Sequence, residues 1–183
     1  MEAPAYDLIV AGAGPAGCAC AITAARAGAR VLLLEKDKFP RHKVCGEFVS
    51  PESLDLLASL VGAGQFASSP LIDHARIVTN ARAISLPISP SARSITRFQL
   101  DHALLREAQS AGVEAIEEIT VSEVRCNSIF RVVTSAGEFK GRAVVNTAGR
   151  WSRLTPAVSA TGPRWIGLKA HFREPSPPNS VDL

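Results

Sequence analysis

Residues 6–35 constrain this chain more than any other stretch. Tyr6-Asp7-Leu8-Ile9-Val10-Ala11 is mostly apolar and carries β-branched residues, the pattern of a buried parallel strand. Gly12-Ala13-Gly14-Pro15-Ala16-Gly17 follows at once, and residues 18–27 then read as an Ala-rich helix stopped by Gly28. Residues 30–34 form a second apolar strand that ends on Glu35. Strand, glycine turn, helix, strand and acid is the order that a dinucleotide site requires. Gly12 allows the tight turn, Gly14 lets a pyrophosphate approach the backbone, and Gly17 lets the helix pack closely on the sheet. The helix N-terminus offers N–H groups and partial positive charge to phosphates. Glu35 lies 18 residues after Gly17. Its carboxylate can accept hydrogen bonds from both ribose hydroxyls of an adenosine and would repel a 2′-phosphate, which disfavours NADP at this site.

The 183 residues suffice for one domain and a small second one. A hydrophobic content of 46% permits a packed core and argues against disorder. The net charge of +3, with no basic run interleaved with aromatics, argues against a nucleic-acid partner. No uninterrupted apolar run approaches the roughly 20 residues of a membrane helix. The N-terminus shows no charged leader or apolar signal core. These features predict a cytoplasmic protein without a stable membrane span. Cys18, Cys20, Cys45 and Cys126 show neither metal-ligand nor disulfide spacing. No metal is expected, and Cys18 and Cys20 read as small packing residues.

Farther along, Ser50 and Pro51 read as N-cap and first residue of an amphipathic helix that Gly62 ends. Residues 76–79 and 83–88 read as strands bracketed by Asn80, Pro87 and Pro90, and residues 101–110 as a second helix. Residues 113–116 suggest a return strand. Residues 119–125, 130–134 and 138–140 suggest an antiparallel meander covering one face of the sheet. A short strand at 143–146 runs into the turn Thr147-Ala148-Gly149-Arg150, which the strand-end rule for open α/β sheets places near the first glycine turn. Residues 165–172 alternate well enough for a further strand, and residues 181–183 begin another. His74, His102 and His171 show no triad or metal spacing.

Three later segments resemble one superfamily. Arg41-His42-Lys43-Val44-Cys45-Gly46-Glu47-Phe48-Val49-Ser50-Pro51 resembles the loop after the second strand in geranylgeranyl reductase-like FAD-dependent oxidoreductases. These are kin of the para-hydroxybenzoate hydroxylase-type monooxygenases and the flavin halogenases. Arg97-Phe98-Gln99-Leu100-Asp101-His102-Ala103-Leu104 resembles their arginine, hydrophobe and aspartate motif, and residues 144–154 resemble their second nucleotide motif. Ala148 stands where that motif usually carries Asp, and the chain has no Gly-Asp dipeptide for the third motif. The resemblance therefore implies about the first half of a family member.

The implied fold is α/β: a three-layer, Rossmann-like FAD-binding domain at 1–68 and 98–155, with an antiparallel meander, plus part of a β-rich substrate domain at 70–97 and 157–183. The resemblance implies cofactor contacts from Lys36, Arg41, Val124, Ala148 and Gly149, beside those of residues 12–17 and Glu35. It implies an isoalloxazine-side position for Cys45 and Gly46, a diphosphate contact for Arg97, and Cys45 as the candidate catalytic residue. Asp101 reads as a helix N-terminal acid. The implied cofactor is FAD with NADH or NADPH as electron donor, and the substrate a small molecule of lipid or polyketide kind. Reductase-like hydride transfer to an alkene is the leading activity. Hydroxylation or halogenation, a catalytically silent nucleotide-binding fragment and an NAD-binding domain without flavin stay open. A substrate sheet cut short would expose an apolar edge, so low solubility is expected.

Overall fold

The structure is a computed structural model that describes residues 6–80, 82–149, 152, 154, 166–173 and 179–182. In chain order the first elements are β1 (Tyr6–Ala11), α1 (Pro15–Arg26), β2 (Val31–Leu34), β3 (Phe48–Val49), α2 (Pro51–Val61) and β4 (Leu71–Val78). They are followed by β5 (Ala83–Ser94), α3 (Arg97–Ser110), β6 (Glu114–Ile116), β7 (Val121–Asn127), β8 (Ile129–Thr134), β9 (Gly137–Asn146) and β10 (Ser180–Asp182). The chain divides into two compact units, Met1–Arg41 with Leu100–Arg164, and His42–Gln99 with Trp165–Leu183.

The first unit holds a six-stranded sheet in the order β6-β2-β1-β9-β8-β7. β1 runs parallel to β2 and β9, and β2 parallel to β6, while β8 is antiparallel to β7 and β9. Ile9, Val10, Ala11 and all of β2 are buried, which fits the apolar runs at 8–11 and 31–34. α1 begins at Pro15, earlier than the expected 18, because Gly14 is its N-cap and Pro15 supplies a φ already suited to the first turn. β9 merges two strands that the sequence suggests are separate. Gly141 is the junction: it pairs with Phe130 of β8 on one side and Tyr6 of β1 on the other. A Cβ there would lie 2.9 Å from Ile9 Cγ1. The meander is thus continuous with the parallel sheet. Its strands extend that sheet edgewise, and Val132 joins Tyr6, Ile9, Leu32, Leu34 and Ile119 in one cluster, with Val121, Val124, Phe139 and Val144 against it.

The second unit holds a four-stranded sheet in the order β10-β4-β5-β3, with β10 parallel to β4 and the other pairs antiparallel. α2 starts as expected, with the Ser53 N–H donating to Ser50 Oγ at 3.4 Å and Pro51 in the first turn. Residues 42–68 belong to this unit, whereas the sequence reading assigns them to the dinucleotide domain. β3 hydrogen-bonds to β5 and α2 packs on it. β4 begins five residues before the expected 76 and β5 runs six residues past the expected 88. Pro87 and Pro90 lie within β5, which is tolerable because among the described residues only Arg93 and Ser94 pair on the side away from β4. Residues 166–173 correct another expectation, since they form no strand. Their alternation is real but inverted: Ile166, Leu168 and Phe172 are exposed, while Lys169 and His171 bond to Glu47. Trp165 lies outside the described residues, as do Arg150, Trp151 and Arg153 of the second nucleotide motif. Among the described residues no helix is long and apolar enough to cross a membrane.

Candidate dinucleotide site

The glycine turn leaves β1 at Gly12, whose φ of +106° is closed to most side chains. Its N–H donates to the Leu34 carbonyl at 2.7 Å. A Cβ on Gly12 would meet the Thr147 carbonyl oxygen at 2.5 Å, and one on Gly17 would meet the Gly12 oxygen at 1.9 Å. Turn, helix and β9 end therefore meet backbone to backbone. Thr147 is the fastener: its N–H donates to the Ala11 carbonyl at 2.8 Å and its hydroxyl reaches the Gly12 oxygen at 2.7 Å. The proximity of the two turns expected from strand order is realised by this residue, which lies in the segment resembling the second nucleotide motif but has no cofactor contact implied by it. No side chain caps α1. Gly14 and Pro15 are half-buried and Ala16 exposed, so the first turn of the helix opens outward.

Glu35 closes the site at the end of β2 and is 5% exposed. Its Oε2 accepts the Ala13 N–H at 2.8 Å and Arg41 Nη2 at 3.3 Å; its Oε1 accepts the Asp37 N–H at 3.0 Å. Arg41 is itself held by Asp101, with Nη1 2.6 Å from Oδ2. Asp101 is fully buried. It is therefore no ordinary helix-terminal acid but half of a buried ion pair, and Arg41 connects it to Glu35. Cys18 lies beside the same turn and donates its thiol to the Ala13 carbonyl at 3.3 Å. Burial, then the Asp101 and Glu35 carboxylates, push the Cys18 thiol up to about 12, so it stays a protonated donor. Ala13 is thus tied through both its N–H and its carbonyl.

Of the other candidates in this unit, Lys36 is exposed, Val124 is half-buried in β7, and Ala148 and Gly149 form the exposed turn after β9, Gly149 with φ +83°. An acceptor position survives on Glu35. A carboxylate oxygen takes about two donors; Oε2 has two and Oε1 one among the described residues. With the uncapped helix and a turn where a Cβ at Gly12 or Gly17 has no room, this arrangement fits an adenosine diphosphate.

In the second unit, Cys45 is half-buried, Gly46 exposed and Arg97 half-buried at the start of α3. Between them lies Glu47, a residue the sequence did not mark. It is buried, in the left-handed region at φ +57°, and bonded to Lys169, to His171 Nε2 at 2.9 Å and to the Arg97 N–H at 2.8 Å. The Glu47 N–H donates to Cys45 Sγ at 3.4 Å. Burial alone would raise the Glu47 carboxyl, but the bonds from Lys169, Arg97 N–H and His171 together hold it below its ordinary range. A depressed folded-state value adds stability above pH ~4.5 that disappears as pH falls through that value. Glu47→Gln is expected to cost ~2 kcal/mol at pH 7 and to flatten the acid limb of the stability curve. Denaturant melts at pH 7 and pH 4 check this, and equal acid sensitivity in both proteins would contradict it. Among the described residues no cluster of His, Cys, Asp and Glu could hold a metal ion.

Comparison with known proteins places this geometry. Residues 7–176 match the family described as glucose inhibited division protein A (GIDA). The menaquinone reductase of Mycobacterium tuberculosis is 33% identical over 140 residues, covering 70% of this chain and 33% of that protein. The flavin-dependent halogenase armH1 of Armillaria mellea is 33% identical over 128 residues, covering 64% of this chain and 24% of its own length. The myxobacterial chondrochloren halogenase CndH, described as a new variant of FAD-dependent halogenases, superposes with a TM-score of 0.71 at 27% identity, covering 81% of this chain and 38% of that one. The chain spans a third or less of the length of these two curated relatives. The expected mixed α/β, Rossmann-like fold and the FAD-linked superfamily are both borne out: the chain belongs to the glucose inhibited division protein A family, among the FAD-dependent oxidoreductases.

Proposed function

We propose that this chain is the FAD-binding part of a reductase-like flavoenzyme acting on a small, lipid-like substrate. The observation that carries the reading is Glu35 at the end of β2, held by the Ala13 N–H of the glycine turn with one acceptor position left. In this reading α1's first turn, from Gly14 through Gly17, receives the diphosphate. Glu35 receives one ribose hydroxyl rather than the two that a bare carboxylate would take. Lys36, Arg41, Val124, Ala148 and Gly149 border the adenosine half, Arg97 contacts the diphosphate, and Cys45 and Gly46 stand beside the flavin. Bound FAD would supply the redox chemistry, and NADH or NADPH its electrons. Menaquinone is the substrate in the mycobacterial relative's name, which supports the reductase branch and a lipid. The similarity to CndH supports a second reading, halogenation.

Calorimetric titration of the purified chain with FAD, ADP and NAD tests the binding reading. FAD and ADP are expected to bind, and Glu35→Gln to weaken both about tenfold, the worth of one charge-assisted hydrogen bond. Binding of NAD without FAD would replace the reading with a plain NAD domain.

A further inference from the structure

We propose that Asp101 is a positioning residue for the adenosine site and acts on Glu35 through Arg41. This rests on the adenosine-binding reading above. A fully buried carboxylate paired with an arginine is a costly construction, because apolar residues of equal volume are often as stabilising. What the pair supplies here is orientation. Asp101 Oδ2 takes Arg41 Nη1 at 2.6 Å, which aims Nη2 at Glu35 Oε2, 3.3 Å away. Oε2 also takes the Ala13 N–H, so it is saturated and Oε1 becomes the acceptor left for a ligand.

The guanidinium has an alternative. Its Nε is buried without a hydrogen-bond partner, and lies 3.5 Å from Asp37 Oδ2. Asp37 is bonded to the same Glu35 through its backbone N–H. Without the Asp101 charge, Arg41 is free to turn toward Asp37, and Glu35 loses one of the two groups fixing Oε2. Arg41 then serves the ligand indirectly: with its side chain 9% exposed and both Nη atoms on carboxylates, it holds the ribose acceptor rather than the phosphates. Asp101 and Glu35 are 66 residues apart in the chain, and nothing in the glycine fingerprint includes the former.

The test is discrimination between ADP and 2′,3′-dideoxy-ADP, which lacks both ribose hydroxyls. The wild-type protein is expected to prefer ADP about tenfold, the worth of one hydrogen bond to a charged group. In Asp101→Asn, which keeps the side-chain shape, the preference should fall below about threefold while dideoxy-ADP binds as before. A merely structural role weakens both ligands by the same factor and keeps the ratio, which would overturn the proposal. If Asp101→Asn does not fold, Arg41→Lys provides the same ratio with the cation retained but the two-pronged geometry gone, and an unchanged ratio there overturns the proposal equally. Absence of any ADP preference in the wild type would instead sink the adenosine-site reading itself.

Discussion

Gly17→Ala is expected to abolish dinucleotide binding and to destabilise the chain by ~3 kcal/mol or more, in the range of severe overpacking. The added methyl would sit 1.9 Å from the Gly12 carbonyl oxygen and 2.6 Å from Thr147 Oγ1. A flexible side chain could yield, but neither obstacle is one. The Gly12 oxygen is main chain, and the Thr147 hydroxyl is committed to it at 2.7 Å and to the Ala11 oxygen at 3.0 Å. Relief requires α1 to back away from the β1 turn, which misaligns the helix N-terminus and pulls Cys18 off the Ala13 carbonyl. Gly28→Ala is the matched control. Gly28, unlike the helical Gly17, has a positive φ of +88°, but nothing lies within 4 Å of its added Cβ, so only backbone strain of about 1 kcal/mol is at stake. Denaturant melts and ADP titrations of the two variants should diverge sharply. A Gly17→Ala protein that titrates like wild type would show that the turn can widen, and that close packing is not what the glycine is for.

The divergence between those two glycines also marks what a sequence can reveal. Local patterns carried the first unit's centre. β1 and β2 lie inside the sheet, so nearly every side chain is apolar, whereas the helix start set by Gly14 and Pro15 lies three residues before the 18 that the Ala-rich run suggests. Patterns failed where a residue's partner is far along the chain. Gly141 breaks the apolar run but not the strand, because Ile9 needs the space its side chain would take. Thr147 resembles any turn residue until its hydroxyl is seen on Gly12. Glu47 resembles a solvated loop acid, yet Lys169 and His171, more than 120 residues later, bury it. Residues 166–173 alternate as a strand would, but side-chain bonds to Glu47 anchor them instead of a ladder. Charged pairs at long separation leave no periodic trace, and that is where most of the candidate site's internal bonding lies.

The buried arginine gives the second large effect. Arg41→Met is expected to cost ~3–5 kcal/mol at pH 7, the cost of leaving buried charge without its partner. Met preserves much of the stem packing, including contact with the Phe39 ring, over which the guanidinium lies at 4.3 Å. What it removes is the guanidinium that bonds both carboxylates, Asp101 at 2.6 Å and Glu35 at 3.3 Å. Both carboxylates then lose the hydrogen bonds that the guanidinium donates. The double variant Arg41→Met with Asp101→Leu, which removes the fully buried carboxylate along with the guanidinium, should regain most of the loss at pH 7. Denaturant melts of wild type, single and double variants at pH 7 provide all the comparisons needed. An Arg41→Met protein as stable as wild type at neutral pH would mean that the guanidinium is not what holds the two carboxylates. The orientation of Glu35 toward a ligand would then need another cause.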